Sequence, residues 1–321
     1  TLAGTVAGFQ MREASGEPGA DNGKMNIRGI SSLEAKTDPL IIVDGAPYPG
    51  SLSNIPQQDI ESVTVLKDAA SAALYGARGA SGVILITTKR GNTSEAVVTV
   101  DMKWGSNSRA IQDYDVIKDP GQYYETYYGM LRNKYFYTDG MSADDAHARA
   151  NKEMLAQLGY NVYTVPTGEQ LIGTDGKLNP KATLGRSYKT ADGETYYMTP
   201  DDWTKEAYRN SFRQDYNVSV SGGNTRSSFF ASAGYLKDNG VILYSDYERY
   251  TARLKADYQA KKWLKLGGNV DYVHSSKNQN PNMDDQLNSS NLLYFTSMIA
   301  PIYPLYVRTL DANGNPVIRT D

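Results

Sequence analysis

The chain has 321 residues, a formal net charge of −3 and 21% charged residues, enough length for roughly two or three compact units and too ordinary a balance for wholesale disorder. Lys and Arg are spread along it, which excludes a basic tract for nucleic acid and a polybasic membrane anchor, and the lack of cysteine excludes disulfides, thiolate chemistry and cysteine-bound zinc. No apolar run approaches the roughly 20 residues that a membrane helix needs, so a membrane crossing by this chain has to use strands.

The first ninety residues read as a small α/β module. Leu40, Ile41, Ile42 and Val43 form a short buried strand, and Asp44-Gly45 suits a type I′ hairpin. Ile60 to Leu66 alternates and is β-branched, a second strand, whereas Lys67 to Tyr75 is alanine-rich and predicts a short helix ending at Gly76. Gly79 and Gly82 bracket a turn before a third strand, Val83 to Thr88, and Lys89-Arg90-Gly91 closes the module. The glycines from Gly76 to Gly82 lack the lysine and hydroxyl residue of a phosphate loop, which leaves turn geometry as their role.

Beyond Gly91 the pattern changes to segments of about ten residues with strict alternation, the length a tilted strand needs to cross a bilayer. Tyr250, Ala252, Leu254, Ala256 and Tyr258 share one face, and Arg249, Thr251, Arg253, Lys255 and Asp257 the other. Val98, Val100, Met102 and Trp104, then Tyr216, Val218 and Val220, then Phe229, Ala231, Ala233 and Tyr235, and last Leu264, Leu266, Val270 and Tyr272 supply four more apolar faces. Alternation alone does not separate lipid from a protein core. Aromatic residues near the strand ends (Trp104, Tyr216, Tyr235, Tyr250, Tyr258, Trp263 and Tyr272) and short connections alternating with long ones favour a membrane barrel. In the excursion from 106 to 211, Asp119 with Pro120 predicts one helix start, and Ser142 with Asp145 begins a second helix ending at Gly159.

Asn26-Ile27-Arg28-Gly29-Ile30, Pro39 to Pro47, Asp59 to Gly79 and Gly82 to Lys89, in that order, resemble the plug signature of SusC/RagA-type TonB-dependent transporters. The signature positions are Arg28, Gly29, Asp44, Gly45, Lys67, Asp68, Tyr75, Gly76, Arg78, Gly79 and Gly82. Ser81 stands where that family often has asparagine, at a turn. Tyr216 to Asn224, Gly234-Tyr235-Leu236 and Trp263-Leu264-Lys265 resemble its early barrel. The resemblance implies a plug over 1–92, lacking its first part, and the start of an antiparallel transmembrane β-barrel over 93–321, about five strands of about 22, the rest lying beyond Asp321.

It further implies an outer-membrane location in a Gram-negative, Bacteroidetes-type bacterium, import of glycan oligosaccharides or, next, peptides, a SusD-like surface lipoprotein as lid, and TonB acting through a segment preceding this chain. The alternative is a signalling receptor that senses substrate without being its main route. Arg28 and the Lys67-Asp68 pair are candidates for holding the plug against charged lumen walls. Tyr123, Tyr124, Tyr127 and Tyr128 are candidates for substrate stacking, though residues at helical spacing are more often packing residues. His147 and His274 have no nucleophile motif beside them, and no enzyme, metal or cofactor is called for. Asp311 to Asn315 lacks the sixth-position glycine and closing glutamate of a calcium loop and reads as a hairpin turn.

Overall fold

The computed structural model describes residues 9–12, 17–19, 24–27, 38–67, 73–92, 95–110, 115–191, 193–279 and 291–319. In chain order the strands are β1 (Phe9–Arg12), β2 (Lys24–Ile27), β3 (Leu40–Val43), β4 (Ala46–Pro47), β5 (Ile60–Leu66), β6 (Val83–Thr88) and β7 (Val97–Asn107). There follow β8 (Tyr163–Thr164), β9 (Thr183–Leu184), β10 (Arg186–Lys189), β11 (Thr195–Met198), β12 (Ser211–Gly223), β13 (Ser227–Asn239), β14 (Asp246–Lys261), β15 (Leu264–Asn278), β16 (Arg308–Leu310) and β17 (Pro316–Ile318). The chain divides into two compact units, one of residues 1–110 with 208–291 and the other of 111–207 with 292–321.

Besides the antiparallel pair β1–β2, the first unit holds two larger sheets among the described residues. The smaller has the order β4-β3-β6-β5, with β3 parallel to β6 and β5 antiparallel to it. Its second strand and the β5–β6 pair begin and end where the apolar runs do, because Ile42, Val83, Ile84 and Ile86 are removed from water by this packing. Asp44 and Gly45, with φ of 48° and 90°, make the turn from β3 to β4, and this left-handed geometry is one that Asp and Gly accept at little cost. The predicted helix from Lys67 falls mostly on residues outside the described ones. Its described end, Ala73–Gly79, is 3-10 in two pieces broken at Gly76, whose φ of 63° and ψ of −154° only glycine adopts readily.

The larger sheet is antiparallel with the order β15-β14-β13-β12-β7. Its strands run 11 to 16 residues, longer than the alternating runs suggest, because pairing continues past the apolar bands into the polar residues beside each turn. Short turns join β12 to β13 at Asn224–Arg226 and β14 to β15 at Lys262–Trp263, the latter beside a bulge between Gln259 and Lys261. His274 lies inside β15 and pairs with Tyr250.

The second unit is built around two helices, Pro120–Asn133 and Ala143–Leu158. Asp119 caps the first through Gly121 N and Gln122 N with proline at its start, and Ser142 accepts from Asp145 N at the second, which ends on left-handed Gly159. The strands β10, β11, β16 and β17 form a separate four-stranded sheet, with Asp311 to Asn315 as the hairpin turn of its last pair.

Candidate functional site: the seam between plug sheet and wall

The register of the larger sheet sorts its side chains into two surfaces. Across one face run Met102–Tyr216–Tyr235–Tyr250–His274, then Val100–Val218–Ala233–Ala252–Tyr272, then Val98–Val220–Ala231–Leu254–Val270. Leu254 is 54% exposed, Val270 68% and Val98 65%, so this apolar band stays open to its surroundings among the described residues. Its upper row is aromatic: Tyr216 stacks on Tyr235 at 6.3 Å, Tyr235 lies 4.9 Å from Tyr250, and Trp104 donates to Tyr216 Oη at 2.9 Å. An exposed apolar band bounded by aromatic residues is the outer surface of a membrane barrel wall, where amphipathic rings sit at the headgroup level.

On the opposite face the rule inverts, and charges are buried: Arg249 is 7% exposed and Lys255 9%. The first unit's smaller sheet covers them. Lys255 Nζ lies 3.0 Å from Asp44 Oδ2 and 3.2 Å from Thr88 Oγ1. Thr88 in turn gives its backbone N–H to Asp44 Oδ1 at 2.9 Å and its hydroxyl to Oδ2. Burial works to raise the Asp44 carboxyl, but the hydrogen bonds from Thr88 and Lys255 outweigh it and hold the pKa below the ordinary carboxylate range. Asp59, at the end of a 3-10 turn over Gln57–Asp59, accepts from Ser232 Oγ at 2.8 Å and faces Arg253 Nη1 at 3.8 Å, and Arg253 Nε also holds Asp271 directly across the strand pair. Arg249 donates to the Ser53 carbonyl, Tyr247 Oη to Asn54 Oδ1 at 3.0 Å, and Gln58 Nε2 to Asp215 Oδ2 at 3.3 Å.

Most of these contacts come from one strand. Tyr247, Arg249, Arg253 and Lys255 are inward positions of β14, and each presents a donor to an acceptor on the smaller sheet or its loops. The chain leaves the smaller sheet hard against β13: a Cβ on Gly91 would stand 2.3 Å from Phe229 N.

Of the signature residues, Arg28, Gly29 and Asp68 lie outside the described residues. Lys67 follows the last residue of β5 and is half-buried, while Arg78 is exposed. Tyr75 packs beside Ile42 and Val83, and Gly82 N donates to Gly79 O at 2.9 Å to make the expected turn. Asp44, a turn residue and one of the signature positions, is a central acceptor of the seam. Asp59, Ser53, Asn54 and Thr88 were not singled out at all, and the alternating cations of β14 gave no sign of whether they would face water or protein.

The four tyrosines of the Pro120–Asn133 helix separate by position. Tyr124 and Tyr128 are core residues, their hydroxyls bonded to the Tyr160 carbonyl at 2.7 Å and to His147 Nδ1 at 2.7 Å, and burial pushes both phenols up. Tyr127 donates to Gln157 Oε1. Tyr123 alone of the four borders a cleft of about 780 Å³ within the second unit, with Val116, Leu184, Trp203 and Met298.

Residues 1–83 match the family model of the TonB-dependent Receptor Plug Domain. The chain is 28% identical over its whole length to TonB-dependent receptor P39 of Formosa agariphila, covering 26% of that protein. It is 29% identical over 78% of its length to TonB-dependent receptor SusC of Bacteroides thetaiotaomicron, covering 20% of that protein. The RagAB peptide importer in its closed-closed state aligns with 98% of the chain at a TM-score of 0.66 and 25% identity, the chain covering 32% of it. The chain thus spans about a quarter of the length of these curated relatives. With a plug sheet seated on the charged face of an antiparallel wall whose other face is apolar, the chain carries a TonB-dependent receptor plug match over residues 1–83 and is similar along most of its length to receptors of the SusC/RagA type.

Proposed function

We propose that the protein to which this chain belongs imports large nutrients across the outer membrane of a Gram-negative, Bacteroidetes-type bacterium, with residues 1–92 acting in the plug and 93–321 opening the barrel. The observation that carries this reading is the pairing of the two sheets. Among the described residues the plug sheet meets the wall through hydrogen bonds and ion pairs beside the buried Phe230 and Leu236 of the same face, and polar contacts of that kind can part and re-form more readily than an apolar core can be unpacked. TonB supplies the pull, a SusD-like lipoprotein caps the barrel outside, and glycan oligosaccharides are the first substrate class, peptides the second. RagAB is named a peptide importer, which supports the second class.

Arg28 and the Lys67-Asp68 pair belong to the same proposal as additional plug anchors. The test is made in the source bacterium with the full-length gene. Deletion should abolish growth on one class of polymer while leaving growth on the free monomers intact, and the tagged protein should co-purify a surface lipoprotein from outer membranes. Growth unchanged on every glycan and peptide source would overturn the reading.

A further inference from the structure

Past the aromatic row of the outer face, the register continues into polar residues. Lys237, Glu248 and Ser276 form the next row beyond Tyr235, Tyr250 and His274, and Asn239, Asp246 and Asn278 form the one after. Each step is two residues along its strand, so both rows keep the outward face. These six residues line a pocket of about 190 Å³. Short turns close the opposite end of the sheet, at Asn224–Arg226 and Lys262–Trp263, and in a membrane barrel short turns face the periplasm. The pocket therefore opens on the outer-leaflet side, next to the rings that sit at headgroup level.

Its polar groups are open. Lys237 Nζ and the side chains of Asn239, Ser276 and Asn278 make no hydrogen bond among the described residues. Glu248 accepts from Tyr235 Oη at 2.8 Å and from Tyr250 Oη at 2.9 Å, both through Oε1, which leaves Oε2 open. Asp246 Oδ1 is held by Arg209 Nη2 at 2.7 Å. The pocket thus sets two carboxylates, Asp246 and Glu248, against two cations, Lys237 and Arg209, with His274, neutral at pH 7, one row below.

That balance selects the ligand. A phosphate would meet two carboxylates, and a metal cation would meet an ammonium and a guanidinium. Amide, hydroxyl, ammonium and carboxylate groups side by side suit a neutral molecule rich in hydroxyls, each of which donates and accepts. The apolar band of Leu254 and Val270 begins just below the aromatic row and offers acyl chains a surface continuous with the pocket. Resting on the outer-membrane reading above, we propose that this pocket binds the sugar headgroup of an outer-leaflet glycolipid. Asn239, Ser276 and Asn278 bond ring hydroxyls, Lys237 Nζ and Glu248 Oε2 bond the rest, and the acyl chains run down over the band. The bound lipid spans β13, β14 and β15 and ties this part of the wall to its leaflet.

The experiment is native mass spectrometry of the full-length protein in detergent, with monoglucosyl diacylglycerol and phosphatidylglycerol of matched acyl chains as probes. The parent protein should hold the glycolipid about tenfold more tightly, the worth of one or two added hydrogen bonds. Replacing both asparagines, Asn239→Leu with Asn278→Leu, should erase that preference and leave the hold on phosphatidylglycerol unchanged, while Lys262→Gln at the periplasmic turn keeps the preference. Three results would overturn the proposal: phosphatidylglycerol held by the parent as tightly as the glycolipid, a preference that survives loss of both asparagines, or displacement of the glycolipid by equimolar free glucose, which would make the pocket a site for soluble sugar. Each of these would leave the import reading standing, since growth and lipoprotein capture test it separately.

Discussion

The two faces of the five-stranded sheet carry the same alternation and come to opposite ends. Leu254 and Arg253 are neighbours on β14, yet the apolar residue is 54% exposed and the cationic side chain only 8%. In a water-soluble sheet the assignment would be reversed, with leucine inside. The difference shows that burial here follows partner chemistry: lipid takes one face and the plug's acceptors take the other.

The sharpest way to break this comparison is to remove one charge from the inner face. Lys255→Met leaves Asp44 buried with its hydroxyl and amide donors and no cation, which is expected to weaken plug seating by about 3 to 5 kcal/mol. Hydrogen exchange on the full-length protein would report it as lost protection in β3 and β6, with the Pro120–Asn133 helix unchanged as the internal control. Unchanged protection in β6 would mean that the plug is held elsewhere.

The matching change on the outer face is Leu254→Arg, one residue from a native arginine. It lies in the third of the rows, four residues along β14 from both Tyr250 and Tyr258, and a cation near the bilayer midplane costs about 2 to 4 kcal/mol. Urea titration in lipid vesicles is the measurement, and equal stability of variant and parent would mean that this face does not meet hydrocarbon.

How far these features were legible in the sequence depended on how local their causes are. The strands Ile60 to Leu66 and Val83 to Thr88, the Asp44-Gly45 turn and the caps at Asp119 and Ser142 were readable to the residue, because each is decided within a few positions. The aromatic row was readable too, since the girdle repeats on every strand. The seam was not. Ser232 and Asp59 are 173 residues apart and Lys255 and Thr88 are 167 apart, and period two cannot say what an inward cation will meet. The same limit applies to Tyr123 through Tyr128, where helical spacing correctly marked a packing face but could not single out Tyr123 as the one beside the cleft.

A third prediction separates the faces by pH. Because the folded pKa of Asp44 is depressed, its contribution is fully present above the unfolded value of about 3.9 and is lost as pH falls through the lower folded value. Plug protection should therefore hold from neutral pH to about 5 and decline only below roughly 4, while the uncharged middle rows of the outer face respond to neither. Loss of β6 protection already between pH 7 and 5 would assign plug seating to a different group.

The smallest effect is expected at the aromatic row. Tyr216→Phe keeps the ring that stacks on Tyr235 and meets Trp104 edge-on, and removes only the hydroxyl that accepts from Trp104 Nε1 and donates to Gln214 Oε1. These bonds are largely exposed to the interface, where water or headgroups replace them, so the cost is expected at about 0.5 to 1 kcal/mol. Tyr216→Ala removes the ring as well and should cost visibly more, because an aromatic side chain anchors the wall by area as much as by its polar tip. If the two variants lose equal stability in vesicles, the row is held by its hydroxyls and the stacking contributes nothing; if only the alanine variant suffers, the girdle works through its rings.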